Sequence, residues 1–104
     1  MKAWEVWTWQ GHPCILVSNQ ARLDRKEKFV VLRGQSLYSG DPKPAPFEIV
    51  LDTEDGLDRR TRFVCDLLYT VLKAEISQRR GEVVLERRRA ISRLMLQGLA
   101  LAGL

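Results

Sequence analysis

The sequence predicts a mainly β domain, a small barrel of short strands followed by a C-terminal amphipathic helix. Two patterns carry that expectation. Short apolar or alternating runs recur over residues 4–9, 13–18, 29–32, 47–51 and 61–71, each bounded by polar or Gly/Pro-containing stretches, as in a small all-β fold. Beyond residue 84 the period changes from that of a strand to that of a helix. With 104 residues, 45% of them apolar, the chain supports one modest core, so a single domain over residues 1–104 is expected.

Each element has a local reason. Over residues 4–9, Trp4, Val6 and Thr8 fall on one side and Glu5, Trp7 and Trp9 on the other, the alternation of a half-buried strand. Residues 13–18 are almost wholly apolar, which predicts cover on both faces, and Pro13 suits a first strand position where no ladder donor is required. Only Gln10, Gly11 and His12 separate these runs, which reads as a tight hairpin. Residues 19–27 are polar and read as a loop before the third strand at 29–32. The Pro/Gly/Ser-rich stretch 35–46 is too broken for regular structure and long for a hairpin connection, a pattern common in binding loops. A fourth strand at 47–51 and the turn Asp55-Gly56 lead to a longer fifth strand over 61–71. On it Thr61, Phe63, Cys65, Leu67 and Tyr69 alternate with Arg62, Val64, Asp66 and Leu68. The final helix begins near Val84 without a good N-cap residue, although Glu86 in its first turn suits the helix dipole. Val84, Ile91, Leu94, Met95 and Leu101 form the face expected to dock on the barrel. Leu85, Leu96 and Leu99 fall off that stripe, as a subunit or partner contact or as part of a broader core face. Gly98 either ends the helix or lets it pack closely.

The net charge of +4 is modest, but its distribution is informative. Arg22, Arg25, Lys26, Lys28 and Arg33 crowd one segment, Arg59, Arg60 and Arg62 another, and Arg87, Arg88 and Arg89 a third, while acidic residues concentrate between 48 and 58. Such basic surface favours a nucleic acid or acidic peptide as partner; the plain alternative is a set of solvated faces. Cys14 and Cys65 sit in apolar runs without metal-ligand spacing, which predicts small buried hydrophobes and no zinc site. No cofactor is expected, and no disulfide in a reducing compartment. Glu5 and Gln10 interrupt the tryptophan-rich start and no cleavage pattern follows, so neither a signal peptide nor a membrane span is expected, and the cytoplasm is the expected location.

In chain order, Gly11-His12-Pro13, the run at 29–32, Pro46-Phe47-Glu48-Ile49-Val50-Leu51, Asp55-Gly56-Leu57, Phe63-Val64-Cys65-Asp66 and Arg80-Gly81 precede the amphipathic helix. This series resembles the MazF/PemK/Kid family of toxin endoribonucleases. Glu5-Val6-Trp7 stands where that family typically has Gly-Glu-Val/Ile-Trp, so the resemblance spans nearly the whole chain. It implies an SH3-like small barrel (PemK/MazF/CcdB-like) with an appended helix, usually a homodimer. It also implies metal-independent cleavage of single-stranded RNA with the ribose 2′-OH as internal nucleophile, and an acidic antitoxin protein as partner in a type II toxin-antitoxin pair.

That chemistry needs a base for the 2′-OH proton, a cation or acid for the phosphate and leaving oxygen, and groups that hold unstacked bases. By the resemblance, Asp66 in Cys65-Asp66 matches the aspartate base of one branch of the family. The family's arginine before that dipeptide is Val64 here, and the nearest cation is Arg62, on Asp66's strand face and roughly 7 Å further along. The family's arginine before the second-strand proline is His12 here, and histidine can donate or accept a proton near neutral pH. The family's long segment between the first two strands is cut to three residues. Its hydroxyl residue after the third strand is matched by Ser36, or by Gln35 with a slip of one.

The toxin reading therefore makes Asp66 the general base and His12 or Arg62 the acid and phosphate clamp. Gln35, Ser36 and Arg33 hold the RNA, and Trp9 beside Gln10 and His12 offers a stacking face. Each residue has a plain counterpart: Trp9 in the core, Ser36 an ordinary loop serine, His12 an exposed turn residue, Asp66 a structural partner of Arg62 or of loop N–H groups. A second reading is a catalytically inactive binding module on the same fold that engages a protein or nucleic acid. The nuclease reading requires His12 and Asp66 to meet at the rim of one positively charged cleft.

Overall fold

A computed structural model describes residues 1–100. Leu101, expected on the docking face of the final helix, lies outside the described residues. The strands are β1 (Glu5–Trp9), β2 (His12–Leu16), β3 (Lys28–Ser36), β4 (Glu48–Leu51), β5 (Thr61–Val64), β6 (Tyr69–Leu72) and β7 (Ile76–Glu82). The helices are α1 (Gln20–Arg25) and α2 (Leu85–Gly98). All pairings are antiparallel, in the order β4-β5-β3-β2-β1-β7, with β6 added to β3. The mainly β architecture with a C-terminal helix is the one the sequence predicts.

The β1–β2 hairpin is tighter than expected. Trp9 pairs with His12, so Gln10 and Gly11 alone form the loop, with φ of 51° and 77°. Positive φ at both central positions is the mark of a type I′ turn, whose twist matches that of the flanking strands. His12 is thereby a strand residue rather than part of the loop. The apolar run of β2 is covered on both faces, as its composition requires. Ile15 joins Val6, Leu32, Phe63 and Ile91 in one core beneath α2. Cys14 and Leu16 join Phe29, Val31, Val71 and Leu23 in a second core on the other side of the sheet.

Three elements depart from expectation. Residues 20–25 are helix rather than loop: the Asn19 side chain caps α1 by accepting from the Arg22 N–H at 2.9 Å, and Leu23 fixes it to the second core. One buried residue in six gives no periodicity to detect. β7 escapes notice because it is an edge strand whose only buried residue is Ile76, and its pairing with β1 is broken by a register shift between Val6 and Thr8. The third departure bears on function. The stretch 61–71 is two strands on one edge of β3, Gly34 pairing with Phe63 and Val31 with Tyr69. Continuing the first register would put Asp66 opposite Val31, so three residues loop out between β5 and β6.

Helix α2 lacks a side-chain cap at Val84, and the missing carboxylate comes from a distant turn. Asp55, fully buried, accepts the Val84 N–H at 3.0 Å, Arg87 Nη1 at 2.8 Å and the Asp52 N–H at 3.3 Å. Its neighbour Gly56 adopts a φ of 85° that L side chains avoid, and a Cβ there would stand 2.6 Å from the Arg80 carbonyl oxygen. A Cβ on Gly81 would lie equally close to the Gly56 Cα, at 2.6 Å. Asp55-Gly56 and Arg80-Gly81 thus press backbone to backbone. Leu85, Leu96 and Leu99 are exposed, while Ile91 is buried and Leu94 and Met95 pack against the first core. Gly98 lets α2 pass close to Asp66 and Phe47.

Asp55→Ala would leave the Val84 and Asp52 N–H groups without their acceptor and the partly exposed Arg87 with Glu54 alone, and is expected to cost about 2–4 kcal/mol in urea denaturation. Glu54→Ala, which removes an exposed partner of the same arginine, should cost no more than about 1 kcal/mol.

Candidate active site

A cleft of about 550 Å³ opens where the β1–β2 hairpin, the end of β3, the entry to β5 and the middle of β7 converge. The hairpin supplies His12 and the buried Pro13, and β3 with its following loop supplies Gln35, Ser36 and Tyr38. The approach to β5 adds Asp58, Arg59 and Thr61, and β7 adds Arg80. Ser36 and Thr61 face each other as a β3–β5 pair, and Thr61 Oγ1 donates to the Arg59 carbonyl at 2.9 Å. Arg80 is held from behind, its Nε donating to Thr8 Oγ1 at 2.9 Å, while its Nη1 lies 3.8 Å from the exposed carboxylate of Asp58. The Arg59 guanidinium sits over the Tyr38 ring, 5.4 Å from its centroid. The cleft therefore offers one imidazole, two guanidinium groups, the hydroxyls of Ser36, Thr61 and Tyr38 with its aromatic face, and the Asp58 carboxylate.

Of the residues singled out from sequence, the structure brings His12, Gln35 and Ser36 together here. Gln10 is exposed at the neighbouring turn and does not line the cleft. Trp9 corrects the stacking expectation: it is 8% exposed, and its ring is tilted against Tyr69 at 5.3 Å between centroids. A ring so enclosed has no face for a base. Asp66 is a second correction. It sits in the three-residue excursion after β5, against Gly98 of α2, and does not line the cleft that holds His12. The alternation that put it on the face of Arg62 ends at Val64, where the strand ends. Arg62 pairs instead with Glu48 at 3.9 Å and, with Arg33, lines a smaller adjoining cleft.

Sequence reading did not single out Arg59, Arg80, Thr61, Tyr38 and Asp58, which also line this cleft. The signals were partial: Arg59 stood in a basic cluster and Arg80 in the Arg80-Gly81 motif, but only the Gly56–Gly81 contact brings their two segments together. Among the described residues, no group of three or more His, Cys, Asp or Glu side chains is placed to hold a metal ion. No described helix is long and apolar enough to cross a membrane.

Comparison of the fold with solved structures is decisive for the architecture. An endoribonuclease from a Mycobacterial species superposes with a TM-score of 0.82 at 21% identity, over 98% of this chain and 93% of that one. The chain has the MazF-type fold. A Mycobacterial endoribonuclease solved in complex with its cognate antitoxin matches at TM-score 0.81 and 22% identity, over 97% of this chain and 96% of that one. MazE-MazF from Deinococcus radiodurans matches at 0.77 and 16%, over 98% and 97%. No family model and no curated protein sequence matches the chain. Within the MazF-type fold, Glu5 secures the start of β1 and the middle of β7. Burial raises its carboxyl, but hydrogen bonds from Arg79 Nε (2.5 Å), the Lys2 N–H (2.6 Å) and Trp7 Nε1 (3.2 Å) outweigh that and hold it below its ordinary value. Burial pushes the Cys14 thiol up to about 12 and, with Asp66 and Glu48 nearby, the Cys65 thiol up to about 11.

Two measurements check this electrostatic picture. A carboxyl lowered by folding stabilises the native state above its unfolded value of 4.5, and that contribution is lost as pH falls through the lower native value. Glu5→Gln should therefore be less stable than wild type at pH 7, with the gap closing in acid, by urea denaturation across pH. Both thiols should resist a disulfide reagent at pH 8 in the native protein and react fully once denaturant is added.

Proposed function

We propose that the protein is a metal-independent endoribonuclease that cuts single-stranded RNA in the His12 cleft, as the toxin of a type II toxin-antitoxin pair. The observation that carries the reading is the convergence of the chain's one imidazole with Arg59 and Arg80, in a cleft open enough for a polymer strand. The solved structures that share the fold include endoribonucleases, one of them with its antitoxin.

In the proposed mechanism the neutral imidazole of His12 takes the proton of the ribose 2′-OH. The resulting oxygen attacks the adjacent phosphorus, and the bond to the 5′-oxygen of the next nucleotide breaks. The products are a 2′,3′-cyclic phosphate and a 5′-hydroxyl, the leaving oxygen taking a proton from solvent in the open cleft. Charge gathers on the phosphoryl oxygens as the new bond forms, and Arg59 and Arg80 stabilise it without needing to transfer a proton. Thr8 behind Arg80 fixes that guanidinium before substrate arrives, while the exposed Arg59 rests more loosely over the Tyr38 ring. Ser36 and Gln35 donate hydrogen bonds to phosphate or ribose oxygens. Asp66 stands outside this cleft and has no part in the scheme, so the form of the nuclease reading that required His12 and Asp66 at one rim is withdrawn, and the proposal rests on His12 with Arg59 and Arg80 alone. An acidic antitoxin segment would compete for the same cations, and a homodimer in the cytoplasm completes the proposal.

Purified protein incubated with a long single-stranded RNA in chelator should produce discrete cuts. His12→Ala should lower the rate by about 10²-fold or more, the usual loss on removing a positioned proton-transfer group. Asp66→Asn should cut within about twofold of wild type, since it lies outside the cleft. Full activity in folded His12→Ala would overturn the assignment, and an inert wild-type protein would favour the catalytically inactive binding module.

A further inference from the structure

β7 carries an irregularity that sheet pairing alone does not require. Val6 pairs with Gly81 and Thr8 with Ser77, so Gln78, Arg79 and Arg80 together oppose Trp7 alone. Bulges of this kind re-aim side chains and are frequent beside active sites. Gln78 takes a φ of 37°, on the left-handed side that residues other than glycine seldom enter. Such a conformation persists only where its surroundings hold it, and it points to a functional position. Here Thr8 holds it, its Oγ1 donating to the Gln78 carbonyl at 3.2 Å.

The bulge faces the turn after Gly56 across a pocket of about 270 Å³, lined by Gly56, Asp58, Gln78, Arg79 and Arg80. The pocket opens beside the main cleft, with which it shares Asp58 and Arg80. Asp58 is out of place among these cations if their sole task is to attract phosphate, because a carboxylate there repels it. Nor does its side chain serve the fold. It is 88% exposed, accepts no hydrogen bond among the described residues, and meets Arg80 Nη1 only at 3.8 Å. Gln78 is exposed as well.

A carboxylate is best matched by two adjacent donors. Among the four RNA bases guanine alone presents such a pair on its Watson–Crick edge, the ring N–H and the 2-amino group, and in a single strand that edge is free. Uracil shows one donor between two carbonyls. Adenine and cytosine set an amino group beside a ring nitrogen whose lone pair faces a carboxylate unfavourably. The Gln78 amide can donate to the guanine carbonyl oxygen on the same edge. The pocket is smaller than a site for a drug-sized ligand and suits one ring system. We propose that the pocket on the β7 bulge receives one unstacked base, and that Asp58 with Gln78 selects guanine. Arg80 turns to the phosphate and Asp58 to the base, so the two groups divide the strand between them. That this base adjoins the bond being cut rests on the ribonuclease reading; the preference for guanine does not.

The test uses fluorescent 2′-O-methyl RNA dodecamers, which lack the internal nucleophile and report binding alone. One is all uridine, and the others carry a single central guanine, inosine, adenine or cytosine. By anisotropy, the guanine strand should bind about tenfold more tightly than the uridine, adenine or cytosine strand. Inosine, which lacks the 2-amino group, should lose most of that gain. Asp58→Asn, at an exposed position, should erase the guanine preference while the uridine strand binds more tightly, since a repelling charge is gone. Gln78→Ala should reduce the preference about threefold. If Asp58→Asn tightens every strand equally, the carboxylate acts through charge alone and the proposal is overturned. Equal affinity of the wild type for all strands overturns it too, as does failure to bind any of them. Cleavage of long RNA at sites that share no guanine overturns it and leaves the ribonuclease reading standing. A guanine preference lost in Asp58→Asn, in a protein that cuts no RNA, sinks the ribonuclease reading and leaves the base pocket in place.

Discussion

The contact of Asp55-Gly56 with Arg80-Gly81 is the constraint on which the rest of the structure depends. Two backbones meet where neither tolerates a Cβ, and the buried carboxylate beside them gathers the start of α2, Arg87 and its own turn. The consequence reaches past stability. Leu57, Asp58 and Arg59 follow Gly56 directly, and Arg80 precedes Gly81, so one close approach sets both walls of the main cleft. Asp55 itself contributes no chemistry. It fixes where the cations stand.

The cations are held by different means, which matters for a site meant to stabilise charge. Arg80 is anchored by Thr8, whose hydroxyl in turn donates to the Gln78 carbonyl at 3.2 Å, and Glu5 secures the adjacent Arg79. Arg59 rests on an aromatic ring. On the proposed reading, Arg80 would need little rearrangement when an anion arrives, and preorganised charge of this kind is usually the largest single term in such chemistry. Glu48 and Asp58 temper the same field at distances of 3.8–3.9 Å, weak enough for a polyanion to displace them.

Much of this was legible in the sequence, for physical reasons. Alternation in residues 4–9, the doubly covered run after Pro13 and the stripe through Ile91, Leu94 and Met95 are read directly from side-chain periodicity. His12, Gln35 and Ser36 line one cleft because strand ends and turns carry them to one place. Asp66 was misread because alternation counts residues as though the strand continued, and nothing in Val64-Cys65-Asp66-Leu67-Leu68 announces a three-residue excursion. Trp9 is the core residue of its two readings, and the stacking alternative stayed open because a tryptophan next to a polar turn has the same local pattern whether its ring is outward or enclosed. Arg59 and Arg80 lie in segments whose meeting is a tertiary event, and no local pattern encodes it. α1 was invisible for want of length.

The two-residue turn between β1 and β2 has a kinetic meaning. A hairpin this short cannot arch over the groove, so it leaves His12 and Gln35 uncovered from that side. On the proposed reading, capture of an RNA strand would then need no opening of this hairpin, and long-range attraction would help to set its rate. By the same logic the β1–β2 turn cannot serve as a flap, and on the proposed reading an inhibitor acting at this end of the groove would have to enter the groove itself.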